Sequence, residues 1–531
     1  MRHSRAELEA ALEAEAKHAI REYLDWAEST AAPTLTEIEE AVLKLRKRLG
    51  ERLAQAVIDA QGAVRPVPGP VCPACGREMH YKDEKGNTVE SRVGTLALKR
   101  SYYYCEACRS GLFPLDEQLQ LWDQHWSEQV AKQAVRLSGL MKFEDAETVL
   151  REVGQIVMSD TSVWRRVQVW GERAQALEAA QRAAATALPD RRTIVPGEAV
   201  GEARLAVAMD GAMVNIRGEG WKELKTGCVG VIEIKPTLDP ATGDLVELAH
   251  TGAHTYVAHL GGPERFGQQL WAETQTRHWT QAADTIVLGD GAAWVWNLAR
   301  EHFFDSRQAV DWYHAKQHLC QAAALVAGEG TPAAERWLTE SETCLFEGQA
   351  DQIADLLEDA AGHKRKVAKD LRQQAGYFRD NQRRMQYLEL REDGYPLGSG
   401  MVESACKQFR MRFTGSGMRW SRPGAERLLP VRAAIMSHRF DAFWAEVYRP
   451  RAGDHRAVGG LRRAVHLDEM QAQQIALFPE TNPLLDEIKL LDLNVLSPME
   501  ALSKLFEWQV AGTIWQKAFG GLNSNLGDKS Q

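Results

Sequence analysis

Apolar positions along this chain change period several times, and each change marks a candidate boundary. Near the start, Leu8, Leu12, Ala16, Ala19, Ile20, Tyr23 and Leu24 recur at helical spacing behind a Ser4-x-x-Glu7 capping box. After a break at Pro33, Thr36-x-x-Glu39 opens a second helix with Ile38, Val42, Leu45, Leu49 and Val57 on one stripe. Two such amphipathic helices over residues 1–61 predict a helical arm, folded as a hairpin or offered to a partner subunit. A Gly/Pro-rich linker follows from Gly62 to Pro70. Short strands and turns are expected over 71–117, and helix again over 118–190. Within the latter, a helix from Phe143 breaks at Gly154 and restarts behind the potential N-cap Ser159. This is helix–turn–helix spacing. Its ordinary use is helical packing; its other use is DNA reading, through Arg165, Arg166 and Gln168.

Near residue 203 the period shortens. Leu205–Met209 reads as a buried strand ending on Asp210, and Cys228–Ile234 and Tyr256–Leu260 as two more. Thr285–Leu288 is a fourth, ending on Asp290; a helix over AAWVWNLAREHF and a short strand at Gln308–Val310 complete an α/β segment over 203–313. Residues 314–395 are helical and amphipathic, with no convincing strand. The Gly-rich turn GYPLGSG leads into a basic helical segment over 396–445, and 446–531 reads as short helices about a turn.

At 531 residues the chain is long enough for about three or four folding units. No window approaches the roughly 18 apolar residues of a membrane helix, and the first residues contain no secretory-signal stretch. A membrane partner is not expected. The net charge of −9 denies the whole chain a polycationic character but leaves room for a local basic face. Eight cysteines are too sparse for a disulfide scaffold and point to a reducing cytoplasm, nucleoid-associated if DNA is the partner.

Four of those cysteines form two knuckles, Cys72-Pro-Ala-Cys75 and Cys105-Glu-Ala-Cys108, with 29 residues between them. Each tight turn lets two thiolates converge, and two turns complete a tetrahedral four-sulfur zinc site. The alternating VGTLALKRSYYY would bring the second knuckle beside the first as part of a zinc ribbon. A closed site of this kind is structural. Charge over 71–117 is balanced at seven basic and seven acidic residues, so DNA contact through Tyr102–Tyr104 and Lys99–Arg100 is open to the ribbon without being implied by charge.

Asp210 and Asp290 each follow an apolar run and precede a glycine. A single Asp there is ordinarily a turn former. Two of them, with Glu403 entering a helix after Gly398-Ser-Gly400, can instead present oxygen ligands for a pair of hard divalent cations, Mg2+ or Mn2+. Such a pair, about 3.5–4 Å apart, serves phosphodiester displacement. Between Met401 and Phe440 stand eight Lys/Arg (407, 410, 412, 419, 422, 427, 432 and 439) against two acids, Glu403 and Glu426. The bland reading is a solvated helix face; the alternative is phosphate contact. Lys407, Arg410, Arg412 and Arg419 are the candidate DNA ligands, and Trp420, Trp294 and Trp296 candidate stacking residues if not core.

The motifs VAMDG, VLGDGAAWVWN and GSGMVES resemble those of DDE-type transposases with an RNase H-like core. The ribbon ending in GLFPLDEQL and the run GSGMRWSRPGAERLL resemble the ISKra group of bacterial insertion-sequence transposases. The likeness covers roughly residues 70–440. It implies that Asp210, Asp290 and Glu403 are the metal-binding triad, and that the 112 residues between the last two contain a helical insertion domain. Asp311-Trp-Tyr-His314 also matches an Asp-x-x-His motif found close to the active site in relatives such as hAT elements, which makes Asp311 and His314 further site residues. His314 and His318 can equally be a hydrogen-bonded helix pair. The tail, with LSPMEAL its distinctive part, resembles the C-terminal helix–loop–helix of the mismatch-repair protein MutS, an oligomerisation element.

The resemblance implies metal-dependent cleavage at element ends followed by joining of the freed terminal hydroxyl to target DNA, by at least a homodimer. Two other classes compete: a catalytically silent descendant that regulates by binding DNA, and an RNase H-like nuclease that cuts without joining.

Overall fold

The computed structural model describes residues 5–61, 65–186, 201–238, 243–415 and 418–449. The chain divides into two units, 1–451 and 452–531. All described residues fall in the first, so the Ser4 cap and the tail helices lie outside them. Among the described residues no helix is long and apolar enough to cross a membrane.

Helices α1 (Arg5–Ser29) and α2 (Leu35–Gln61) pair as the expected hairpin. The second begins slightly earlier than its spacing predicts. Thr34, not Thr36, is the capping residue: Thr34 N and Oγ1 donate to Glu37 Oε2 at 2.7 and 2.8 Å, and Glu37 N returns a bond to Thr34 Oγ1 at 3.3 Å. Thr34 and Glu37 are also three apart, and the register just after Pro33 satisfies the orphan N–H groups first.

The arm is tied to a three-stranded antiparallel sheet of β1 (His80–Ser91), β2 (Gly94–Cys105) and β3 (Ser110–Leu112), in that order. Because β3 reaches only the last residues of β2, the earlier edge of β2 is open. Gln55 of α2 closes it, donating to Ala97 O and accepting from Ala97 N, both at 2.8 Å.

Helices α3 (Pro114–Gln118), α4 (Glu128–Leu140), α5 (Phe143–Glu152) and α6 (Asp160–Thr186) follow. Ser159 caps α6 as expected, accepting Ser162 N at 3.3 Å. The helices pack inward against the chain's later elements: the Trp170 ring packs at a tilt against Trp444 and Tyr448 in one buried cluster.

The main sheet is mixed and five-stranded: β4 (Gly201–Ile216), β5 (Gly220–Leu238), β6 (Leu245–Leu260), β7 (Ala282–Gly289) and β8 (Arg307–Val310). Its order is β6-β5-β4-β7-β8; β5 is antiparallel to both neighbours, whereas β7 runs parallel to β4 and β8 to β7. Helices α7 (Pro263–Thr276) and α8 (Ala293–His302) connect its strands. The central strand is apolar on both faces, as a strand covered on both sides must be. Leu205, Val207 and Met209 face one cluster with Phe266, Leu270 and Trp279; Ala206 and Ala208 face another with Ala309, Met401 and Val402.

Helices α9 (Trp312–Ala327), α10 (Pro332–Phe346), α11 (Ala350–His363), α12 (Ala368–Asn381) and α13 (Tyr387–Glu392) form the expected helical stretch. They share one core with the sheet: Leu319, Leu345, Ile353 and Phe378 belong to the cluster of Val207 and Met209. Three helices finish the described chain: α14 (Gly400–Phe413), α15 (Arg422–Met436) and α16 (Phe440–Tyr448).

Asp123 is a joint of this arrangement. Nearly buried, it accepts from the Arg166 guanidinium and, at 2.9 Å, from Trp170 Nε1. Asp123→Ala would leave a buried guanidinium and an indole N–H unanswered, a loss of about 3–5 kcal/mol. Denaturant unfolding should show it, with Asp123→Asn milder; an unchanged midpoint for the alanine variant would contradict this role.

Candidate functional site

The parallel register sets the site. Met209 of β4 pairs with Gly289 of β7, and Gly289 with Val310 of β8. Asp210, Asp290 and Asp311 are the next residues on three adjacent strands, so they stand level, with neighbouring strands about 4.8 Å apart. They also share a face, because Ala208, Leu288 and Ala309, each two residues earlier, line one cluster. The expectation that the strand ends on Asp210 is corrected in one respect. Relative to β7 it does, but β4 continues to Ile216 along β5, with Asp210 opposite Thr226.

Each carboxylate is held differently. Asp210 is half-buried and accepts Gly211 N at 2.6 Å. Burial raises its pKa, and the charge of Asp290 adds to the rise; Gly211, a Cys406 thiol bond and His314 oppose it. Asp290 accepts Ala292 N at 2.8 Å, while its backbone carbonyl takes a hydrogen bond from Tyr377 of α12 at 3.2 Å. That ring fits because Gly291, at φ +104°, has no Cβ to meet it. Asp311 is almost fully buried and is the N-cap of α9, accepting His314 N at 2.8 Å and His314 Nδ1 at 3.2 Å. Its other oxygen accepts Ser399 N. Burial works to raise the Asp311 pKa, and the bonds from His314 and Ser399 together bring it below the ordinary value. His314 is shifted upward, first by its bond to Asp311 and further by the charges of Asp311, Asp290 and Asp210, against the opposing effect of burial. His318 is not its partner: it bonds Gln374 Oε1 at 2.8 Å and stacks on Tyr377 with centroids 3.6 Å apart.

Glu403 arrives on α14. That helix crosses the same sheet face with Met401 and Val402 in the cluster of Ala206 and Ala208, whose small side chains admit it closely. Its start is clipped to α9 by the Ser399–Asp311 bond and by Trp312 N to Leu397 O at 2.9 Å. One turn on, Cys406 meets Asp210. Glu403 itself is exposed and paired with Lys407 at 2.7 Å. Asp210 and Asp290 thus stand level on neighbouring strands, whereas Glu403 is not drawn into one group with them and is turned to its i+4 lysine. The oxygen donors suit a hard cation.

The four cysteines do converge. All four sulfurs lie within 4.8 Å of one another, with Cys75 and Cys105 at 3.6 Å, and they can hold a structural metal such as zinc. Among the described residues they are the group of three or more potential ligands so arranged. Gly76, at φ +70°, makes the first knuckle turn. The backbone N–H of Ala74 leads the groups that pull Cys72 down to about 6, and the Cys75 thiol leads those that push Cys108 up to about 12.

The basic segment is largely answered by the fold, which corrects several expected DNA contacts. Arg412 is buried, its Nε donating to Ser138 O at 2.7 Å; beside it Arg432 Nη1 donates to Gly139 O at 3.1 Å. Both serve the carbonyls that end α4, where a cation also suits the helix dipole. Burial brings Arg412 down to about 10. Trp420 is buried against Phe413 and Phe143, and Trp296 lies in the main core with Trp294 packed beside it. Arg166 is committed to Asp123, and Arg165 is half-buried. Gln168 accepts from Arg427 at 2.8 Å, so this face of α6 is packed against α15. Arg422 pairs with Glu219 at 2.6 Å and Arg439 with Glu273 at 2.8 Å. Lys407, Arg410 and Arg419 remain exposed. In the ribbon, Arg100 pairs with Asp116 at 2.6 Å and Tyr103 is buried.

Sequence reasoning missed Cys406, Tyr377 and Ser399. Cys406 lies three residues after Glu403 on one helical face, a signal within reach; Tyr377 lies 87 residues from Asp290, with no pattern linking them. No known family matches this sequence, and no curated protein matches it either.

Purified chain should contain about one zinc per molecule by atomic absorption. Cys105→Ser should lose it and destabilise the ribbon. A metal-free wild type with an intact fold would contradict the assignment.

Proposed function

We propose that this chain is a DDE-type DNA transposase that cuts at element ends and joins them to target DNA. The observation that carries this reading is the level placement of Asp210 and Asp290 on adjacent parallel strands, one residue beyond the Met209–Gly289 pair. Support comes from the sheet: an order of β6-β5-β4-β7-β8 with only β5 reversed is what an RNase H-like core would have. The helical stretch between Asp290 and Glu403 then reads as its insertion, and the four-cysteine sheet as its zinc ribbon.

Asp210 and Asp290 would hold Mg2+ or Mn2+, joined by Glu403 when it leaves Lys407. Divalent ions bound there supply an activated attacking oxygen and charge stabilisation for the leaving oxygen. The chain's own groups prepare the place. Asp311 fixes His314 beside the acids and anchors the start of α14, which carries Glu403. Tyr377 steadies the Asp290 turn from the insertion. Lys407 and Arg410, exposed on successive turns of α14, face solvent where a phosphate backbone can approach. A recombining chain would bring two ends together, so the working form is proposed to be at least a dimer.

The Glu403–Lys407 ion pair favours one second reading, a catalytically silent descendant that binds DNA. Activity separates the two. Wild type should join an oligonucleotide of the gene's flanking end to a plasmid with Mg2+ or Mn2+ and not with chelator. Asp290→Asn should reduce joining by roughly a hundredfold or more, in keeping with the loss of a group that supports transition-state charge, while end binding persists. Joining that survives the substitution would reject the assignment, and end binding without joining by wild type would select the silent form.

A further inference from the structure

Helix α9 is capped by Asp311 and serves the acid site in two successive turns. The first offers His314 to Asp311; in the second, His318 lies against Tyr377 of α12. The His318 and Tyr377 rings are nearly parallel, 18° apart with centroids at 3.6 Å. His318 is also aimed. Its Nδ1 stands 2.8 Å from Gln374 Oε1, and an amide oxygen only accepts, so Nδ1 carries the proton. Gln374 is buried, and its Nε2 donates to Gln321 Oε1 at 3.1 Å, which fixes the direction of the amide. Gln321 and His318 belong to α9, Gln374 and Tyr377 to α12, so these contacts hold the two helices in one relative placement.

The far end of α12 is tied to the sheet. Asn381 donates to the Tyr377 carbonyl at 3.0 Å and accepts from Arg384 at 3.2 Å, and Arg384 Nε donates to Gln308 of β8 at 2.8 Å.

What the Tyr377 ring grips is the turn after β7. Its hydroxyl donates to the Asp290 carbonyl at 3.2 Å, and a Cβ on Gly291 would meet Tyr377 Cε2 at 2.7 Å. Across the same turn Ala292 N donates to the Asp290 carboxylate at 2.8 Å. The turn held by Tyr377 is therefore the turn whose amide orients the carboxylate. Asp210 is oriented within its own strand, by Gly211 N at 2.6 Å.

We propose that Tyr377 and His318 are positioning residues: the stacked pair, aimed by Gln374, sets the Asp290 turn and, through the Ala292 amide, the direction of the Asp290 carboxylate. Two flat apolar rings would satisfy packing alone; the hydroxyl bond and the fixed imidazole add direction. The helices between Asp290 and Glu403 thus govern one acid of the pair and leave the other to the sheet. The use of that control rests on the reading of Asp290 as a cation ligand.

The test is hydrogen exchange in the full chain with no Mg2+ or Mn2+ added, read at two amides. Ala292 N–H reports the Asp290 bond, and Gly211 N–H, bonded to Asp210, is the control. Tyr377→Phe keeps the ring and loses the hydroxyl. It should speed exchange at Ala292 by roughly 2- to 12-fold, the range for one net hydrogen bond, with Gly211 within twofold of wild type. His318→Ala should also speed Ala292, and His318→Phe, which returns a flat ring to Tyr377, should bring it back toward wild type. An unaltered Ala292 in both Tyr377→Phe and His318→Ala, or an equal rise at both amides, would overturn the proposal. Mn2+ binding is scored separately, by electron paramagnetic resonance. Mn2+ binding with Ala292 exchange unmoved rejects the positioning residues alone; a selective rise at Ala292 in a chain whose wild type binds no Mn2+ keeps them and rejects the cation reading.

Discussion

Everything at this site depends on the register of three parallel strands. Pairing Met209 with Gly289, and Gly289 with Val310, puts three aspartates at one level on one face. A slip of one residue along β7 would send Asp290 to the opposite face, into the cluster of Val207 and Met209. That slip is resisted by the apolar alternation of the strands, whose two faces bury different partners. The register is therefore fixed by hydrophobic packing, and the acids are placed by it.

Placing acids so close has an electrostatic cost, and their surroundings offset it unequally. Asp311 has three N–H partners and is lowered; Asp210, with fewer, is raised. Asp311 thus looks like a positioning residue, because its oxygens are used to fix His314 and the start of α14. Asp210 and Asp290 keep capacity for something further. The difference separates the pair proposed as cation ligands from the neighbour that orients them.

Much of this was legible in the sequence. Two apolar runs each ending on Asp-Gly, a Gly-rich turn before Glu403 and two cysteine knuckles all describe local patterns, and local patterns survive in sequence. What escaped is tertiary. The surplus of positive charge over 401–440 looked like a phosphate-binding face, yet Arg412 and Arg432 end a helix more than 250 residues away, and Arg422 and Arg439 meet acids from other elements. A charge count along the chain cannot include partners that only folding supplies. The same holds for Tyr377, and for Arg166, whose spacing suited DNA reading but whose face is turned inward onto Asp123.

The central claim is that Asp210 and Asp290 jointly hold a divalent cation, with Glu403 joining from α14. A crystal structure of the full chain grown with Mn2+ tests it most directly, through anomalous difference density at the manganese edge. The account predicts a peak bridged by the Asp210 and Asp290 carboxylates, with the Glu403 side chain released from Lys407 and turned toward it. Ordered aspartates with no peak between them, in crystals where Mn2+ is bound elsewhere, would contradict it.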